Sequence, residues 1–150
     1  MEAVTFPDPN VVAFIHQNVV ALRLPHDHEP LAGQFQIKKT PNLIILDEEG
    51  KEHHRHLGFL PPEEIIPFIL LGVAKIHLDA EDFEGALHIF ETLLKDYSRS
   101  GAAPEAIFLR GVSLYRMSND PKPLKEAYES LQAEYAESEW TRRAYPYRLL

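Results

Sequence analysis

The chain has 150 residues, 45% hydrophobic and 25% charged, with a formal net charge of -8. This ordinary balance excludes a disordered chain, and the length fits one compact domain or two small ones. The acidity argues against nucleic acid or an anionic membrane as a partner, and the lack of any cysteine excludes disulfides, thiolate metal sites and thiol nucleophiles.

Asp8-Pro9 reads as a helix start, with the aspartate as cap and the proline in the first turn. Val11, Val12, Phe14 and Ile15 supply an apolar face, and Asn18 ends the helix. Val19-Val20-Ala21-Leu22-Arg23-Leu24 is apolar or β-branched at almost every position, so it is expected to be a strand buried on both faces. Pro25 to Pro30 is a polar loop, and Leu31 to Ile37 forms a short helix. Thr40-Pro41 leads into Asn42-Leu43-Ile44-Ile45-Leu46-Asp47, a second buried strand. Glu48-Glu49-Gly50 is a turn, and Lys51 to Leu57 is an edge strand whose polar side chains need solvent. The strand–turn–strand spacing predicts an antiparallel hairpin.

After Gly58 no strand pattern returns. Pro61-Pro62-Glu63-Glu64 opens a helix, and helices are expected at roughly 62–79, 82–97, 103–117, 121–136 and 138–146. The longest apolar run, Ile65 to Ala74, is broken by Pro67 and Gly72 and falls short of the roughly 18 residues that span a bilayer. Phe83-Glu84-Gly85-Ala86-Leu87 with Phe90 and Leu93 resembles the second helix of a tetratricopeptide unit. Leu70, Val73 and Ala74 would supply its first helix. A second unit would use Ile107, Gly111, Leu114, Ala127 and Leu131. The repeat is irregular: Ala86 to Ala127 exceeds the usual spacing of about 34 residues, and His77 and Arg110 stand where apolar residues are typical. Ala74, Ala86, Gly111 and Ala127 are small enough to let helices approach closely. Trp140, Tyr145 and Tyr147 read as the cap of the helical stack or as interface anchors on an unfinished apolar strip.

Thr40-Pro41, Asp47-Glu48-Glu49-Gly50 and Gly58-Phe59, in this order, follow the helix and first strand. The stretch from Thr5 to Leu71 thereby resembles the thioredoxin superfamily, near the thiol–disulfide interchange domains. The resemblance implies an incomplete thioredoxin-like α/β region over 1–78, followed by all-α, tetratricopeptide-like hairpins over 79–150. It also implies that Pro41 matches the family's cis-proline, so that Thr40 and Pro41 are the substrate-binding candidates, facing an extended peptide. A structural turn is the plainer reading of the same pair. The family's cysteine pair would lie upstream of Met1. Two readings follow: the true start lies further upstream, or the chain is a remnant without redox function. The resemblance further implies a missing central strand between the strands at 19–24 and 42–46. That gap favours a homodimer through the sheet region or the tail around Trp140.

The chain has eight histidines, with His26 and His28 in the loop and His53, His54 and His56 around the hairpin. On a strand His54 and His56 share a face with Arg55 opposite, but two ligands are too few for zinc. A solvated edge strand explains them as well. The acids Asp47, Glu48, Glu49, Glu63 and Glu64 sit where turns and helix starts favour them, and no catalytic role is assigned to them. Ser98, Ser100, Ser113 and Ser118 lack a nucleophile pattern, and there is no phosphate-cradling glycine loop.

The function expected is a redox-inactive, protein-binding or chaperone-like adaptor, with a protein or peptide as partner and no cofactor. The alternatives are a thiol–disulfide oxidoreductase whose cysteines lie upstream, and a small histidine-based metal binder. MEAVTFPDPN does not read as a signal peptide, which places the chain as written in the cytoplasm; a longer product could be periplasmic.

Overall fold

The computed structural model describes all of residues 1–150. Most of the chain is helical and one small antiparallel sheet has two strands, so mixed α/β structure followed by helices is the observed order. No helix is long and apolar enough to cross a membrane. The chain divides into two compact units, Met1–Ile66 and Pro67–Leu150.

In the first unit, helix α1 is Pro9–Asn18, and the Asp8 carboxylate accepts from the Asn10 and Val11 amides at 2.9 and 3.2 Å. Two orphan amides of the first turn are thereby satisfied, as the sequence suggested. Val11 is the one residue of α1 that is buried. The Val19 amide donates to the Ile15 carbonyl and the chain leaves the helix extended.

The strand expected at Val19 to Leu24 does not form. Val20 is 100% exposed and Leu22 75%. Side chains alone do not make a strand; a pairing neighbour does, and here none lies alongside. With that strand gone, only one of the two strands expected to flank a gap in the sheet is present. Helix α2 is Leu31–Gln34, shorter than expected. It is stopped by Gln36, whose φ of +52° turns the chain.

Strands β1, Asn42–Leu46, and β2, Glu52–Leu57, form the predicted antiparallel hairpin. Gly50, at φ +81°, makes its turn. β1 is half-buried and Leu46 exposed, not buried on both faces, because β2 is its only strand neighbour. Leu43 opposes His56, Ile45 opposes His54 and Leu46 opposes Glu52, so the register skips His53. The buried Thr5 hydroxyl donates to the Leu60 carbonyl at 2.6 Å. It ties the start of the unit to the residues just before α3.

Helix α3, Pro62–Asp79, runs through Pro67 and Gly72 without ending. Pro67 lies early in the helix, and the carbonyl it deprives of a donor belongs to exposed Glu63. In the second unit follow α4, Phe83–Asp96, α5, Ala103–Ser118, α6, Lys122–Glu134, and α7, Glu139–Ala144. Asn119, at φ +58°, closes α5 in the left-handed region.

Leu71 and Ala74 of α3 join Ala86, Phe90 and Leu93 of α4 and Ala103 and Ala106 of α5 in one buried cluster. A Cβ on Gly111 would stand 2.7 Å from that of Ala127 and 3.0 Å from the Pro123 carbonyl oxygen. The α5–α6 approach therefore depends on glycine, the role its small size suggested. The last helix is shorter than expected and passes into a 3-10 turn at Tyr145–Leu149. Trp140 is half-buried rather than open, its ring 5.2 Å from that of Phe108, which also stacks on Tyr147 at 5.8 Å.

Candidate functional site

Thr40 and Pro41 are exposed at the entrance to β1, and the peptide between them is cis. The Pro41 carbonyl accepts from the Gly58 amide at 2.9 Å, which extends the hairpin by one bond. The other edge of β1 pairs with no strand.

At the turn end, Asp47 collects most of the local polar contacts. Its Oδ1 accepts from the Glu49 and Lys51 amides at 3.0 and 2.8 Å, and its Oδ2 lies 2.7 Å from His53 Nε2. These bonds, first that to His53 and then that of the Lys51 amide, hold the Asp47 carboxyl below its ordinary range. The His53 side chain is only 2% exposed. The skipped register explains its position, since a bulge turns one side chain out of the strand's alternation. Sequence reasoning treated Asp47 as a mere turn acid and missed this pair; the imperfect alternation of Lys51 to Leu57 was the only signal.

Arg55 donates to both oxygens of Glu52, at 2.7 and 2.5 Å, and to the Phe35 carbonyl at 2.9 Å. The guanidinium lowers the Glu52 pKa, and the carboxylate raises that of Arg55. A shallow recess of about 400 Å³ lies over these residues and Gln34, Gln36 and Lys38, but Glu52 and Arg55 are already engaged with one another.

The histidines do not converge. His26 and His28 are exposed in their loop, and His56 Nε2 approaches the Phe59 carbonyl at 3.4 Å. No group of three His, Cys, Asp or Glu side chains is arranged to hold a metal ion. His77 serves the α3–α4 turn, its Nδ1 2.6 Å from Asp82 Oδ2, while Asp82 Oδ1 caps α4 through the Gly85 amide at 3.0 Å. The Gly85 amide bond and then the His77 ring hold the Asp82 carboxyl below its ordinary range.

A concavity of about 500 Å³ lies within the second unit, between α4, α5 and α6. One wall is the α5 stripe Ile107, Arg110, Gly111 and Leu114. The other is the α6 stripe Glu126, Ala127, Ser130 and Glu134, with Glu129 beside it. Residues three or four apart share a helix face, which is why each stripe is continuous. Leu94 and Ser98 close the third side. The Tyr135 hydroxyl donates to the Ser98 carbonyl, tying the end of α6 to the segment after α4. Burial, and then the Glu134 charge, push the Tyr135 hydroxyl above the ordinary phenol range. Leu94, Ile107 and Leu114 with the buried Gly111 and Ala127 give the groove an apolar part, and the exposed Glu126, Glu129, Ser130 and Glu134 a polar one. Sequence reasoning named Ile107, Gly111, Leu114 and Ala127 only as packing residues; the groove itself was not foreseen. Comparison with protein families, with curated proteins and with solved structures finds no match for this chain.

Proposed function

We propose that this chain is a redox-inactive protein of thioredoxin-like and tetratricopeptide-like build that acts as a protein-binding or chaperone-like adaptor. The observation that carries this reading is the open groove of about 500 Å³ formed by α4, α5 and α6. Its apolar part accepts side chains and its polar part offers hydrogen-bonding groups, the lining a peptide segment needs. Thr40 and Pro41 support a second surface: they lie exposed at the entrance to β1, whose other edge pairs with no strand, and an extended peptide joining that edge would meet them. With no cysteine, the chain has no nucleophile for thiol exchange, so a bound partner is held and not reduced.

Insulin tests both halves of this reading. When dithiothreitol reduces insulin, the freed B chain aggregates; stoichiometric amounts of the protein should slow the rise in light scattering. Ser130→Trp fills the groove from an exposed position and should remove that protection. With dithiothreitol too dilute to reduce insulin quickly by itself, the protein should not shorten the lag before turbidity. No protection, or protection that survives Ser130→Trp, would overturn the groove reading, and a lag shorter than that of the no-protein control would overturn redox inactivity.

A further inference from the structure

The rim of the α4–α5–α6 groove carries three carboxylates, Glu126, Glu129 and Glu134, against one guanidinium, Arg110. All three glutamates are exposed. Glu126 is already paired with Lys122 at 3.5 Å, whereas Glu129, Glu134 and Arg110 take part in no ion pair within the chain. Leu94, Ile107, Leu114 and Ala127 offer apolar surface beneath them. An anionic rim over an apolar floor is complementary to lysine and arginine, whose stems lie on apolar surface while the charged head reaches outward. Arg110 carries only donors, which suits it to the backbone carbonyls of a bound segment. The Tyr135–Ser98 bond joins two sides of the groove without a ligand, so little ordering is left for binding to impose.

From this we infer that the groove takes a cationic segment of a partner protein, one that sets lysine or arginine beside apolar residues. The inference rests on the adaptor reading and adds the chemistry of the partner.

The test uses fluorescence anisotropy with labelled peptides of repeated Ala-Leu-Lys, Ala-Leu-Gln and Ala-Leu-Glu, against the full chain. The lysine peptide should bind tightest. Glu129→Lys with Glu134→Lys should weaken it by about tenfold or more. Glu84→Lys with Glu91→Lys, an equal change of charge on exposed residues outside the groove, should leave most of the affinity. Ser130→Trp should abolish binding, with the helical circular dichroism of every variant unchanged. Equal losses from the two charge-reversed pairs would mean general attraction to an acidic chain and would overturn the inference. Tighter binding of the glutamine or glutamate peptide, still lost in Ser130→Trp, would overturn the charge preference and leave the adaptor reading standing. Binding that no groove substitution affects, or no binding of any peptide, would overturn both.

Discussion

The two units of this chain hold themselves together by different means. In Pro67–Leu150 the centre is close helix packing over small residues: Ala74, Ala86, Ala103 and Ala106 are wholly buried beside Phe90 and Leu93. In Met1–Ile66 the buried apolar set is brief, Val11, Leu60, Ile65 and Ile66, while Val4, Phe6, Val20, Leu22, Leu57 and Phe59 lie exposed. Polar fastenings there do work that packing does elsewhere: the Thr5–Leu60 bond, the Asp8 cap and the Asp47 contacts. A similar share of apolar residues therefore gives a dense helical body in one case and an open, hydrogen-bonded one in the other. What differs is whether each apolar residue finds a facing element.

The sharpest way to break this contrast is at Gly111. If the helical body depends on close approach, Gly111→Ala should cost about 1–3 kcal/mol, because the new methyl meets Ala127 and the Pro123 backbone, which cannot step aside. Urea unfolding measures it; an unchanged midpoint would show that α5 and α6 separate at no cost.

The first unit should instead respond to acid. The folded pKa of Asp47 lies below the ordinary aspartate value of 3.8. Its bonds therefore add stability that is full above the unfolded pKa and is lost as pH falls through the folded one. Amide NMR of Glu49 and Lys51 should report a transition with a midpoint below 3.8 that is absent in Asp47→Asn. A midpoint at or above that value would remove the Asp47 contacts from the account. The effect on stability is modest, since the carboxylate is close to solvent.

The smallest change is expected from Val20→Ser with Leu22→Ser. Side chains 100% and 75% exposed contribute little to folding, and the pair should shift the unfolding free energy by less than about 0.5 kcal/mol. A larger loss, especially one that shrinks with dilution, would show that a second copy covers this segment and would restore the homodimer expected from the sequence.

Much of the fold was legible where local chemistry decides it. Asp8-Pro9 and Pro61-Pro62 mark helix starts by capping and fixed φ, and Asp47 to Gly50 marks a hairpin because a glycine must turn there. Val19 to Leu24 was misread because strand formation depends on a partner, and nothing in six apolar residues says whether one is near. The His53–Asp47 pair was hidden by a one-residue slip in register, which reverses what alternation predicts. The groove was illegible for a further reason. It belongs to no segment, arising only when the stripes of α5 and α6 and the end of α4 come together.

At Gly85 an added Cβ would lie 2.6 Å from His77 Nδ1 and closer still to the Asp82 carboxylate. The aspartate, the imidazole and the backbone amide of residue 85 thus crowd into a space sized for a hydrogen atom. Gly85 lies in ordinary helix and has no need of glycine's conformational freedom. Alanine here would push aside two partly exposed, movable side chains and so cost their mutual bond and the Asp82 cap. With His77 already shortened, the same alanine should cost less. The constraint is a shared volume, and its genetic signature is suppression by a neighbour.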